Sequence, residues 1–320
     1  MRLLVTGCAG FIGWKVSELL LQDGQDVVGV DNLNGAYDVR LKKWRLSQLE
    51  PKTCFSFHKL DITDREAIAG VFRKGGFDAV INLAARAGVR QSLEEPREYY
   101  DTNLMGTLNL LECCREQGVP KFVLSSTSSV YGEGERPFRE DGPTDRPMSP
   151  YAASKKSAET ACYTYHRLHG LDVTVLRYFT VYGPAGRPDM SVFRFIKQIA
   201  EDEPISLYGD GTQERDFTYV EDVARGTLAS MKPMGFETIN LGSDRPVVLN
   251  RVISLIEESL GKRACIETSP RHPTDPHATW ADISHAKQVL GWEPQVTFEE
   301  GLEKTVRWYR ENRDWAKTLL

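Results

Sequence analysis

Residues 2–23 read RLLVTGCAGFIGWKVSELLLQD. A short apolar run, suited to a buried strand, breaks at Gly7, Gly10 and Gly13 and resumes with apolar residues at helical spacing. Glycine at these positions permits a tight turn from strand to helix. It also lets backbone N–H groups approach a pyrophosphate at the positive end of the helix. Alone, G-x-x-G-x-x-G is a weak signal, because glycine often only punctuates a strand and a helix. It gains weight from Asp31 at the end of the next strand pattern, where a carboxylate can accept hydrogen bonds from ribose hydroxyls and repel a 2′-phosphate. The pair points to NAD in preference to NADP.

Outward from this unit the first half of the chain repeats the same rhythm. Strand patterns at 2–7, 26–30, 54–60, 78–84, 121–126 and 172–179 alternate with helical patterns at 12–23, 38–49, 64–74, 97–117 and 150–169. Most of these strands lack two-residue alternation, as expected when both faces are covered. The expected fold class is α/β, a Rossmann-type doubly wound parallel sheet. Beyond residue 180 the loops are richer in Pro and Gly, with helices expected at 191–202, 220–231, 249–260, 283–290 and 298–314. That reads as an NAD-binding domain over 1–179 and a smaller nucleotide-sugar-binding α/β domain over 180–320, with an approximate boundary across which segments can interleave.

Composition excludes several classes. The 320 residues carry 41% hydrophobic and 27% charged side chains and a net charge of -5, so neither disorder nor a nucleic-acid surface is indicated. The first apolar run is too short and too soon interrupted for a signal peptide or membrane span, and no other reaches membrane length. Six cysteines without C-x-x-C spacing read as reduced thiols and not as a metal site, which fits the cytoplasm.

Three further stretches carry chemistry. KLDITD places Asp61 where it can meet an adenine amino group or cap a turn, and NLAARAG places Ala84, Ala85 and Arg86 at a crevice edge. VLSSTSSVYG ends a strand in Ser125, Ser126, Thr127, Ser128 and Ser129, a row of hydroxyls natural for binding a polyol. In SPYAASKKSAE, Tyr151 and Lys155 share one helix face at i and i+4. A nearby ammonium favours the phenolate and makes Tyr151 a competent proton acceptor.

Together these motifs resemble the extended short-chain dehydrogenase/reductase superfamily, in its nucleotide-sugar epimerase and dehydratase branch. The resemblance continues through GDGTQERDFTYVEDVARG and the closing ADISHAKQVLGWEPQVTFEEGLEKTVRWYR, and so spans essentially the whole chain. It implies that Thr127, Tyr151 and Lys155 are catalytic. It implies cofactor contacts from Gly7, Gly10, Phe11, Ile12, Gly13, Asp31, Asn32, Asn34, Asp61, Ile62, Leu83, Ala84, Ala85, Arg86, Ser125, Tyr151, Lys155 and Tyr178. It places Arg90, Thr127, Ser128, Ser129, Thr180, Arg187, Val192, Arg215, Asp275 and either Arg271 or His272 on a UDP-sugar, and it implies a homodimer formed through helices 97–117 and 150–169.

The branch divides on the step that comes after oxidation at the sugar C4. Dehydratases carry an Asp-Glu pair where this chain has Ser128 and Ser129, and the decarboxylases carry an acid in the same loop. LRYFTVYGPAGRPDM (176–190) has Thr180 where glucose-type epimerases usually have Asn, and Arg187 as its one arginine beyond Arg177. This form, with VDNLNGAYDVRLKKWRL, resembles the UDP-glucuronate 4-epimerase group. Thr180, Ser128, Ser129 and Arg187 would then receive a C6 carboxylate. The alternatives that stay open are a UDP-glucose/UDP-galactose epimerase, a UDP-glucuronate decarboxylase, a non-catalytic NAD-binding protein, and an Arg187 that only braces its own loop.

Overall fold

A computed structural model describes residues 1–270 and 274–319 of the chain. The first half forms β1 (Arg2–Thr6), β2 (Asp26–Asp31), β3 (Phe55–Lys59), β4 (Ala79–Asn82), β5 (Lys121–Thr127) and β6 (Asp172–Tyr178). The chain then makes β7 (Thr180–Tyr182), β8 (Ile205–Tyr208) and β9 (Glu214–Tyr219), and returns to the large sheet with β10 (Phe236–Leu241). That sheet is seven-stranded in the order β10-β6-β5-β4-β1-β2-β3, and all its pairings are parallel. The β10 segment, from beyond residue 180, is thus the outer strand of the large sheet, and the two sequence regions interleave. β11 (Pro246–Val248) joins β9 and β7 in a three-stranded sheet, and β12 (Ile266–Ser269) pairs with β8.

Successive residues of a central strand are buried on opposite faces. Leu3 and Val5 pack in one core with Ile81, Val123 and Leu176, while Leu4 packs in the other with Val28, Val80 and Phe122. This is why these strands show no alternation. β3 departs from the pattern: Phe55 and Phe57 are half-buried while Ser56, His58 and Lys59 are exposed, because it is the sheet edge. A third core fills the smaller unit around Phe195, Ile196, Val252 and Tyr309, and the first unit reaches into it with Trp14, Leu41 and Leu49. Trp44, on helix Val39–Leu49, lies 5.7 Å from Trp14 and 5.5 Å from Trp308, centroid to centroid, and stitches that helix to helix Phe298–Glu311.

The helix expected over 97–117 is not continuous. It runs as Pro96–Tyr100, a π-helical turn Asp101–Gly106, and Thr107–Gln117. The widened turn buries Asn103, whose amide accepts from Arg86 N at 2.8 Å and donates to Arg86 O at 3.0 Å and to Ser154 Oγ at 2.9 Å. A regular helix would forfeit this clamp between β4's following loop and helix Pro150–His169. The helix expected over 298–314 ends at Glu311, and a short turn, Arg313–Ala316, comes after it. Among the described residues no helix is long and apolar enough to cross a membrane.

The strand order reverses between β1 and β4, and the crevice at the carboxyl ends of these strands is where a ligand binds in such sheets. The turn after β1 is sterically committed to glycine. Gly7 has φ +70, and a Cβ on it would lie 2.7 Å from Ala84 N; a Cβ on Gly13 would lie 2.0 Å from Gly7 O. Gly13→Ala should therefore lower stability by roughly 1–3 kcal/mol in urea unfolding, the usual range for overpacking. Gly35→Ala, where a Cβ meets nothing within 4 Å, should stay within about 0.5 kcal/mol of the parent.

Candidate active site

A cavity of about 760 Å³ opens over the carboxyl ends of the central strands and extends between the two units. At one end the helix Phe11–Gln22 points its first turn into it. Gly10, Phe11, Ile12 and Gly13 line the wall, and the N-cap residue Gly10 offers no side-chain cap to the first-turn N–H groups. Those donors, beside glycines whose missing Cβ atoms leave the backbone bare, form a phosphate cradle. Asp31 accepts from Ala9 N at 3.2 Å and Leu33 N at 2.8 Å, and so stays fixed at the mouth of β2. Asp61 accepts from Asn32 Nδ2 at 2.6 Å and from Thr63 N and Oγ1 at 2.9 and 2.7 Å. Burial raises its pKa, but the bonds from Thr63 and Asn32 outweigh burial and hold it below the usual carboxylate range. The turn-capping role of Asp61 and its place on the cavity wall therefore coexist. Asn34, Ile62, Leu83, Ala84, Ala85, Ser125 and Tyr178 complete this end. Cradle, acid and small-residue edge fit a dinucleotide.

The hydroxyl row and the Tyr-Lys pair meet at the centre. Thr127 ends β5, and its Oγ1 accepts from Ser129 N at 3.1 Å. Pro150–His169 starts with Ser149 as its cap, the Ser149 side chain accepting from Ala152 N, so that Tyr151 and Lys155 face the cavity from its first turns. Burial raises the Tyr151 phenol above its ordinary pKa, while a hydrogen bond with Thr127 and the charge of Arg187 draw it back. Lys155 donates to Ser125 O at 2.6 Å, and burial lowers its ammonium to about 8, with Glu159 one turn on opposing the change. Glu159 is itself gripped by Arg177 at 3.0 and 2.9 Å and by Ser126 Oγ at 2.5 Å. This buried lattice anchors β5 and β6 to helix Pro150–His169.

At the far end Thr180, Ser128, Ser129, Arg187, Arg90, Arg215 and Asp275 all line the cavity. Arg90 pairs with Asp275 and lies 3.8 Å over the Tyr208 ring. Arg215 donates to the carbonyls of Glu214 and His277 at 2.8 and 3.3 Å. Arg271 and His272 lie outside the described residues. Three expectations change. Arg187 is not a lone charge, because Nε and Nη2 donate to the two oxygens of Asp189 at 3.0 and 2.7 Å, and Nη2 also reaches Ala87 O at 3.3 Å. Arg86 is absent from the cavity wall, since its guanidinium turns to Glu95 and Glu98 at 3.2 and 2.5 Å. Val192 is absent from it too, being buried in the apolar core of the smaller unit.

Sequence reasoning passed over Lys42 and Arg45 on helix Val39–Leu49. Lys42 lines the cavity and donates to Asn34 Oδ1 at 2.7 Å. Both are buried, and two of the four basic residues on one helix carry no motif. Thr102 also lines the wall, carried there by the π-helical turn that regular periodicity does not foresee.

Comparison with known proteins agrees with this geometry. Residues 3–242 match the NAD dependent epimerase/dehydratase family. Over 317 residues the chain is 56% identical to a UDP-glucuronate 4-epimerase of Thermodesulfobacterium geofontis, covering 99% of this chain and 98% of that one. The crystal structure of a Bacillus cereus UDP-glucuronic acid 4-epimerase in complex with UDP-glucuronic acid and NAD superposes with a TM-score of 0.93 at 39% identity, over 98% of this chain and 100% of that one. A Thermotoga maritima UDP-glucose 4-epimerase with UDP-glucose gives 0.89 at 36% identity over the same shares.

The lysine environment is directly measurable. In protein stripped of dinucleotide, an NMR titration of 15N-labelled lysine should place the Lys155 ammonium near 8. Glu159→Gln should move that midpoint to lower pH, because it removes the anion that favours the charged form.

Proposed function

We propose a reaction from one premise: the chain belongs to the NAD dependent epimerase/dehydratase family. The protein interconverts UDP-glucuronate and UDP-galacturonate at the sugar C4. The observation that carries this reading is one cavity in which Thr127, Tyr151 and Lys155 lie between a dinucleotide cradle and a floor made by Thr180 and Arg187. The relatives with that activity support it at full length.

NAD, when bound, accepts the C4 hydride and returns it to the opposite face of the resulting 4-keto sugar. Phe11 and Ile12 would hold its phosphates through backbone N–H groups, with Gly7, Gly10 and Gly13 leaving room for their approach, and Asp31 would hold its ribose. Tyr151 Oη takes the proton of the C4 hydroxyl and later gives it back. Thr127 Oγ1 holds the phenolic oxygen and substrate hydroxyl in line. Lys155 stabilises the phenolate by its charge, and its carbonyl anchor at Ser125 fixes where that charge sits. The absence of an acid at Ser128 and Ser129 leaves no group there to drive elimination across C5 and C6.

Thr180, Ser128 and Ser129 offer donors to the C6 carboxylate. Arg187 joins them by turning part of its fork from Asp189, a partner that lies 44% exposed and is readily rehydrated. A carboxylate held by several fixed donors cannot rotate its C5–C6 bond into line with the ketone, and this restrains loss of CO2. Arg90, Arg215 and Asp275 hold the nucleotide end. Tyr100, Met105, Tyr163 and Leu168, exposed by 38 to 70% on the segments Pro96–Tyr100, Asp101–Gly106 and Pro150–His169, supply apolar surface for a homodimer with a second copy of the chain. The cytoplasm suits both the nucleotide sugar and the free thiols at Cys8, Cys54, Cys113, Cys114, Cys162 and Cys265.

Purified protein incubated with UDP-glucuronate should yield UDP-galacturonate by NMR and no pentose product; a pentose would mark a decarboxylase. Tyr151→Phe should lower kcat by ~10²–10⁴-fold, the span of a lost general base, with NAD still bound. Arg187→Ala should raise KM for UDP-glucuronate more than for UDP-glucose. It should also move the acid limb of the kcat profile to higher pH, because the Arg187 charge lowers the Tyr151 pKa. Equal effects on both substrates would remove Arg187 from carboxylate recognition.

A further inference from the structure

Arg45 projects from helix Val39–Leu49 and is 0% exposed. Its Nη1 donates to Ala9 O at 3.2 Å and to Tyr37 Oη at 2.6 Å, while Nε and Nη2 both donate to Ala185 O, at 3.1 and 2.6 Å. The guanidinium lies 5.6 Å from the Phe11 ring and 5.5 Å from that of Tyr37. All of these acceptors are neutral oxygens. Burying a cation among neutral groups is costly, so its position needs a reason beyond packing.

The two backbone carbonyls it grips belong to different parts of the cavity. Ala9 lies in the glycine turn, and its N–H is already held by Asp31, so that residue is clamped at both its N–H and its carbonyl. Ala185 lies under the sugar floor in the left-handed region at φ +54, which a residue with a Cβ adopts only when its surroundings hold it there. The next residue closes a turn, Gly186 N to Gly183 O at 3.1 Å, and Arg187 comes directly after it, reaching Ala87 O. One guanidinium therefore spans from the phosphate cradle to the loop that carries Arg187.

We propose that Arg45 is a positioning residue that couples cofactor and substrate binding. It locks the Ala185–Arg187 turn against the glycine turn, so that the sugar floor is in place when the cradle is, and its charge, which meets only neutral oxygens in direct contact, favours phosphate groups held beside Phe11. The inference rests on the reading of this cavity as an epimerase site. Coupling of this kind is reciprocal: whatever loosens one loop weakens ligand binding at the other. Lysine cannot replace the arginine here, because a single ammonium cannot reach along the fork to both carbonyls.

The test uses Arg45→Lys and, because that variant alters a buried site, Tyr37→Phe, which removes one neutral acceptor of the guanidinium and keeps the ring that lines the cavity and lies 5.4 Å from Arg187. NAD retained after gel filtration and the calorimetric Kd for UDP-glucuronate are measured for each, with kcat and KM per NAD-loaded molecule. Arg45→Lys should lose NAD on the column and raise Kd and KM roughly tenfold, as lost charge-assisted hydrogen bonds do, while near-UV dichroism is retained. Tyr37→Phe should move NAD retention and Kd in the same directions by less. Combined with Arg187→Ala, the Kd effect of Arg45→Lys should be less than multiplicative, since both act through one turn. A lowered melting temperature with unchanged Kd and KM in loaded Arg45→Lys would overturn the inference, as would multiplicative effects. If Arg45→Lys does not fold, a Tyr37→Phe that leaves either NAD retention or Kd unchanged overturns it. A parent protein that binds UDP-glucuronate without epimerising it would instead refute the proposed reaction, while the binding measurements still decide the coupling.

Discussion

The close passage of Gly13 over the Gly7 carbonyl is the constraint on which the site depends. A Cβ at Gly13 would sit 2.0 Å from that oxygen, so the helix begins almost on top of the strand before it. That proximity aims the first-turn N–H groups into the crevice where the strand order reverses, and it brings Ala9 within reach of both Asp31 and Arg45. From there the contacts run outward without a gap. Asp31 fixes the loop after β2, Lys42 and Arg45 tie the next helix to it, and the Trp44 contacts carry that helix into the smaller unit.

The cavity also concentrates positive charge in a chain whose net charge is -5. Lys42, Arg45, Lys155 and Arg187 all stand in or beneath it, each with burial working against its charge. A ligand bearing a pyrophosphate and a carboxylate offsets that cost when it binds, and a neutral ligand does not. The same low-dielectric setting amplifies the influence of Arg187 on the Tyr151 phenol, which burial alone would leave poorly suited to take a proton.

Much of this was legible in the sequence. The parallel sheet, its central strands and nearly every helix could be read from apolar runs and caps, because strands buried on both faces and helices with one apolar stripe leave strong local patterns. The cradle and the Thr127, Tyr151 and Lys155 set were legible because they are motifs of fixed spacing. Most of the features that escaped depend on contacts between separate segments. Asp189 stands two residues beyond Arg187, but the sequence does not show that the loop folds the two into an ion pair, nor does NLAARAG show that Arg86 turns toward Glu95 and Glu98. Val192 reads equally well as wall or core. The π-helical turn at 101–106 answers the demands of Asn103 on Arg86 and Ser154, and Arg45 resembles any surface arginine until Ala9 and Ala185 close on it. β10 joined the large sheet from beyond residue 180 because sheet membership is decided by neighbours and not by order in the chain.

The central claim is that one pair of groups oxidises and re-reduces the same carbon without exchange with solvent. UDP-glucuronate labelled with deuterium at C4, converted in ordinary water and followed by NMR, measures this most directly. The account predicts that the UDP-galacturonate formed keeps its deuterium at C4 and gains no solvent hydrogen at C4 or C5 when the conversion is run in heavy water without the label. Loss of the label to solvent, or exchange at C5, would contradict it.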